Sequence, residues 1–326
     1  MPQGNIRLAL QPVILGGMSL NRRDIGIGLI VVIIWGINFI AIKLGLSNVP
    51  PLMLGAVRFT VVCLPAIFFL PRPPVAWRWL IALGLTINVG QFAFLFLGMK
   101  MGMPAGLASL IHQSQAFFTL AIAVLFIKER LHYNNLVGLA IAGGGMILIA
   151  TQQGSSMTAI GFWLTLMGAA SWGAGNVIMR RATQGVPPFS MLALVVWAGA
   201  VAILPLGLLS LLIEGFSAWQ TAWHAITWTT VATIIYLAYF ATICGYALWG
   251  KLLSKYPAGM VSPFALLVPI IGMSSAALFL GEKFSLWQLL GALLVMAGLV
   301  VHVFGGRLIK SSASCETSQM TDNLNK

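Results

Sequence analysis

Pro104-Ala105-Gly106-Leu107-Ala108-Ser109 recurs as Pro257-Ala258-Gly259-Met260-Val261-Ser262, 153 positions further on. The same offset carries Glu129-Arg130 onto Glu282-Lys283, Gly138 onto Gly291 and Gly145 onto Gly298. An offset of 137 carries Trp35-Gly36 onto Trp172-Gly173 and Pro50-Pro51 onto Pro187-Pro188. The 16-residue difference falls in the longer segment around Glu214 to Thr227. So many rare residues at constant spacing mark an internal duplication, two copies of one structural unit.

Composition says where those copies reside. The chain of 326 residues is 59% hydrophobic and 7% charged, against about 25% charged in a soluble domain. Too few charges exist to coat a soluble surface, and a mean hydropathy of +0.96 agrees. A helix crosses the hydrocarbon in roughly 20 apolar residues. Runs of that kind lie near 25–45, 51–71, 77–98, 104–127, 134–151, 158–180, 188–213, 227–250, 257–280 and 286–305. Pro51, Pro104, Pro188 and Pro257 mark starts, where a missing N–H is harmless.

The expected fold is therefore an all-α integral membrane protein of ten transmembrane helices. Residues 25–151 and 158–305 form two five-helix repeats, between a cytoplasmic segment (1–24) and a disordered polar tail (306–326). Five is odd, so the second repeat enters the bilayer inverted. Arg7, Arg22, Arg23, Arg72, Arg78, Lys128, Arg130, Arg180, Arg181, Lys251, Lys255, Arg307, Lys310 and Lys326 fall on one side; only Lys43, Lys100 and Lys283 fall on the other. The excess places both termini in the cytoplasm and accounts for the net charge of +12 without a nucleic-acid partner. Met18, before Ser-Leu-Asn-Arg-Arg-Asp, reads as an alternative start, and residues 1–23, with a short apolar stretch broken by Gln11 and Pro12, do not read as a signal peptide.

Inverted repeats are a mark of secondary transporters, whose halves rock about a central site. The Trp-Gly of the first helix and the Pro-Ala-Gly of the fourth, in each half, resemble the EamA family of the drug/metabolite transporter superfamily. So does the Glu-Arg or Glu-Lys after each fourth helix. The likeness spans about residues 19–305. Trp35-Gly36-Ile37-Asn38-Phe39, Pro51-Leu52-Met53-Leu54, Gln91 to Phe96, Met103 to Leu110 and Gln113 to Thr119 are most similar to members that export cysteine and O-acetylserine. The resemblance implies export of a small zwitterionic metabolite across the bacterial inner membrane, and other neutral or aromatic amino acids form the alternative. His112 departs from the pattern, where an apolar residue is expected.

Polar residues inside apolar spans need a reason, since an ionised group at mid-membrane costs a few kcal/mol. Arg58 lies seven residues beyond Pro51, about 10 Å into its helix at 1.5 Å per residue. It is either a partner for a substrate carboxylate or a structural pin. Trp35 with Asn38, and Trp172 with Asn176, present indole–amide pairs on repeat-related helices. They form either a shared site or helix-packing glue. Asn88 with Gln91, the stripe His112, Gln115 and Thr119, and Tyr239 complete the expected lining, while Tyr236 is assigned to the core. Glu129 and Glu282 read as ion-paired caps, and Lys43, Lys100 and Lys283 as snorkelling ends.

No Asp or Glu lies mid-span, which argues against proton-driven efflux of organic cations. His112 is the one embedded group with a near-neutral ordinary pKa. Neither a Walker A motif nor a soluble domain calls for an ATPase subunit. No constellation suggests an enzyme, a cofactor or a metal, and Cys63, Cys244 and Cys315 lack ligand spacing. A channel would be set apart by flux that neither saturates nor shows counterflow.

Overall fold

The computed structural model describes residues 20–129, 131–152 and 157–324, with side chains to residue 305; the alternative start at Met18 lies outside them. Every regular element among these residues is helical. In order they are α1 (Arg22–Asn48), α2 (Pro51–Ala66), α3 (Trp77–Lys100), α4 (Ala105–Ile127), α5 (Tyr133–Ala150), α6 (Ala159–Ala182), α7 (Met191–Ile213), α8 (Trp228–Lys255), α9 (Ala258–Leu280) and α10 (Leu286–Leu324). A short helix, Phe216–His224, lies between α7 and α8.

Eight of these helices are long and apolar enough to cross a membrane: α1, α3, α4, α5, α7, α8, α9 and the Leu286–Gly305 part of α10. The other two expected spans also fold as helix. α2 has only 16 residues and stops near Pro65, while the 24-residue α6 ends on Arg180 and Arg181. Residues 306–324, expected to be disordered, continue the backbone of α10, and no proline follows there to stop it. Large apolar side chains face outward: Trp228 is 88% exposed and Phe69 85%. That surface suits lipid rather than water.

Glycines decide how the halves meet. A Cβ on Gly36 (α1) would lie 2.5 Å from Ile271 of α9, and one on Gly173 (α6) would lie 2.7 Å from Phe118 of α4. Ile271 stands 153 positions after Phe118, so the two crossings are repeat-related. At the α5–α10 contact, Gly138 meets the carbonyl of Gly298 and Gly145 that of Gly291, each at 2.6 Å from a built Cβ. The partners are crosswise, so these counterpart helices run antiparallel at backbone-contact distance, as small residues permit.

Four helices depart from α geometry, in two repeat-related pairs. α3 and α8 contain π-helical turns at Gly84–Gly90 and Tyr236–Cys244. α4 and α9 tighten to 3-10 geometry at His112–Ser114 and Ser262–Leu267. Such irregularities expose backbone groups and are frequent at functional sites.

The two ends of the bundle differ. At the end joining α1–α2, α3–α4, α7–α8 and α9–α10, carboxylates clamp helix starts across the halves. Glu214 accepts from the N–H groups of Leu52 (2.7 Å) and Met53 (3.1 Å). Glu282 accepts from Ala105 (2.7 Å) and Gly106 (3.0 Å). Glu282 is thus a cap of backbone N–H groups rather than half of an ion pair. Lys100, itself exposed, donates to the carbonyl of Leu46 at 2.7 Å. At the other, basic end, Arg180 pairs with Glu129 at 2.7 Å and Lys255 with Asp24 at 2.5 Å.

Candidate functional site

A cavity of about 560 Å³ lies between the halves, within the ~300–1,000 Å³ typical of small-molecule sites. Trp35, Asn38, Arg58, Asn88, Gln91, His112, Gln115, Trp172 and Asn176 all line it. Toward the basic end its wall continues through Met179, Met191, Leu253, Ala258 and Ser262. Ala258 and Ser262 are exposed, whereas Ala105 to Ile111, at the opposite end, are fully buried. The hollow therefore opens toward the basic end and is sealed at the other.

Arg58 is 3% exposed and enters from α2. Its Nη2 donates to Thr242 Oγ1 at 2.9 Å, and its guanidinium lies 4.2 Å from the centroid of the Phe92 ring. Thr242 in turn donates to the carbonyl of Leu237 at 2.8 Å, a bond that the π-turn supports by leaving that carbonyl available. Arg58 Nε and Nη1 have no protein partner. The four acidic side chains described are all engaged at the ends of the bundle: Asp24 by Lys255, Glu129 by Arg180, Glu214 and Glu282 by helix starts. A buried cation therefore faces the cavity with no counter-charge from the described residues.

The amides divide into free and committed groups. Asn176 Nδ2 donates to Gln115 Oε1 at 2.7 Å and Thr119 Oγ1 at 3.1 Å, so this pair ties α6 to α4. Asn38 Oδ1 and Gln91 Oε1 are buried and unpartnered. Gln91 Nε2 lies 3.1 Å from His112 Nε2. The other ring nitrogen of His112, Nδ1, is buried without a partner. The imidazole sits 5.1 Å from the Trp172 ring. Trp35 donates from Nε1 to the Ala241 carbonyl at 3.0 Å, which fixes its indole as one wall.

Two of the expected residues are not on the cavity wall: Thr119, taken up by the Gln115 carbonyl and the Asn176 amide, and Tyr239. It is 42% exposed and does not line the cavity. The π-turn over Tyr236–Cys244 contains one residue more than an α-turn, so the 3.6 periodicity slips and Tyr239 turns outward. Tyr236 donates to the Ile34 carbonyl at 2.8 Å, a packing role. Tyr246 and Trp249, beyond the slip, line the cavity instead, with ring centroids 5.4 and 5.2 Å from that of Trp35 in tilted contact. Tyr246 follows Tyr239 by seven positions, about two helical turns; a register correction for the π-turn would have found it. Gln113, just off the α4 stripe, also lines the cavity because the 3-10 turn narrows the spacing, and it donates to the Ala265 carbonyl at 2.6 Å.

Known proteins can now be set beside this geometry. The sequence profile of the EamA-like transporter family matches twice, over residues 24–151 and 159–304. A protein of Salmonella typhimurium named "Probable amino-acid metabolite efflux pump" is 45% identical over 295 residues, covering 90% of this chain and 99% of its own. Its namesake in Escherichia coli K12 is 43% identical over 294 residues, covering 90% and 98%. A solved crystal structure with 18% identity aligns with a TM-score of 0.54 over 87% of this chain and 99% of that one, a likeness of fold. With its two profile matches covering both halves, the chain belongs to the EamA-like transporter family.

Proposed function

We propose that this protein is a secondary transporter exporting small amino-acid metabolites of the cysteine and O-acetylserine kind by alternating access. Its ten helices, α2 and α6 included, serve as spans in two inverted repeats, with the basic end and both termini in the cytoplasm of a bacterial cell. The crosswise glycine contacts of α5 with α10 and the paired crossings at Gly36 and Gly173 support the inversion. The names of the similar efflux pumps support the substrate class.

The observation that carries this reading is the uncompensated guanidinium of Arg58. A substrate carboxylate supplies the missing charge, and the orphan acceptors Asn38 Oδ1 and Gln91 Oε1 take N–H groups of its ammonium. The aromatic walls favour the same cation. Binding without a carboxylate partner for the amine stays weak enough for release. A second reading, larger neutral or aromatic amino acids, is favoured by the cavity volume and by Trp35, Trp172, Tyr246 and Trp249 around it.

Uptake into inside-out vesicles tests both, with labelled O-acetylserine, cysteine, threonine and an aromatic amino acid, with and without a pH gradient. Saturable uptake and counterflow of at least one are expected, with loss in Arg58→Ala and little rescue in Arg58→Lys, which cannot reproduce the planar fork. Uptake of a lipophilic cation in place of all four would overturn the proposal.

A further inference from the structure

The repeat-related motifs at the two ends are in opposite states. At the sealed end Glu282 holds the N–H groups of Ala105 and Gly106, and Phe284 covers Gly106 so closely that a Cβ there would lie 2.6 Å from its ring. The counterparts 153 positions earlier are Glu129 and Leu131. Glu129 is turned to Arg180, with both side chains substantially exposed, and Leu131 is 48% exposed. The segment that Glu129 would cap by repeat symmetry begins at Ala258, which is exposed at the mouth of the cavity.

We infer that Glu282 and Glu129 are the positioning residues of two exchanging gates. In the state seen here Glu282 latches the far end by capping the start of α4. When the cavity opens to that side, Glu282 and Phe284 leave α4, and Glu129 leaves Arg180 to cap the start of α9, with Leu131 closing over it. An exposed ion pair is easily given up, and two charge-assisted bonds to backbone N–H groups replace it. Each carboxylate thus caps a helix start in one state only, the condition under which a contact shifts an equilibrium between states. Glu214 is different. At either repeat offset its counterpart is apolar, Trp77 or Val61, so its cap on α2 has no exchanging mate and stays closed throughout. The inference rests on the alternating-access reading above.

The test uses full-length protein in cells and inside-out vesicles, with Cys63, Cys244 and Cys315 replaced by serine. Ser109→Cys, at the sealed end, reports access from the outer face, and its repeat counterpart Ser262→Cys, exposed at the mouth, reports access from the cytoplasmic face; each is probed separately by a membrane-impermeant maleimide. Glu282→Ala is expected to raise labelling from the outer face about tenfold, as the loss of charged hydrogen bonds in one state predicts. Glu129→Ala is expected to lower it and to raise labelling from the cytoplasmic face. Glu282→Gln and Glu129→Gln keep one acceptor and shift labelling in the same directions by less, which separates gating from misfolding. Wild-type counterflow with both alanine variants shifting labelling the same way, or not at all, would overturn the gates and leave the transporter reading intact. Absence of counterflow in the wild type would overturn both.

Discussion

Residues 104–109 and 257–262 share one pattern of proline, small residues and serine, yet the first is sealed whereas the second is exposed at Ala258 and Ser262 and buried at Val261. Ala105, Leu107, Ala108 and Leu110 are inaccessible, and the start of their helix is clamped by Glu282. Ala258 and Ser262 are exposed, and the glutamate related to Glu282 is engaged elsewhere. Nearly identical local chemistry in opposite states means that the local sequence does not decide which end is shut. Global arrangement decides it, and under the proposed alternating access two such copies would give two arrangements of similar energy.

The largest expected effect comes from forcing the comparison sterically. Gly106→Leu drives a side chain into Phe284 and into the Met273 backbone, whose Cα would lie 3.1 Å from the new Cβ. Overpacking of this kind costs about 1–3 kcal/mol. Thermal unfolding of purified protein should fall by several degrees and transport should be lost. Ala258→Leu, at the open end, should leave the melting temperature nearly unchanged; equal losses at both positions would erase the asymmetry.

Next come the caps. Glu214→Ala and Glu282→Ala each remove a side-chain cap worth about 1 kcal/mol, and both should lower thermal stability. Only Glu282→Ala should alter side-specific labelling, so a shift in Glu214→Ala would count against the division between fixed and exchanging clamps. Smaller still is Arg180→Ala. Its partner contact is exposed, and such pairs contribute about 0–1 kcal/mol, so stability should hold while outer-face labelling rises. The smallest effect is at Tyr239. Tyr239→Ala should transport as the wild type does, whereas Tyr246→Ala, on the cavity wall, should raise the substrate concentration needed for half-maximal uptake. The reverse order would restore the uninterrupted helical stripe.

Much of this architecture is legible in the amino-acid order because duplication and bilayer insertion both write periodic signals. Gly138, Gly145, Gly291 and Gly298 stand at the repeat offset and meet in space, and nine of the eleven expected lining residues border one cavity. Tyr239 fails because a π-turn breaks the period on which its placement depends. Glu282 is misassigned because its adjacent Lys283 suggests an ion pair, while its actual partners are backbone N–H groups 176 and 177 positions away. Asn38 and Asn176 each follow the repeated Trp-Gly, one residue apart in register, but Asn176 is the one that finds Gln115 and Thr119. Long-range partners of this kind leave no local trace.

Spin-label distances across both ends report directly on whether the two motifs trade states. Labels at Met101 and Lys283 span the sealed end, and labels at Lys128 and Ser254 span the basic end. Substrate-dependent changes of opposite sign in the two distances are the predicted result. Distances that lengthen together, or that both stay fixed while substrate is transported, would contradict the account.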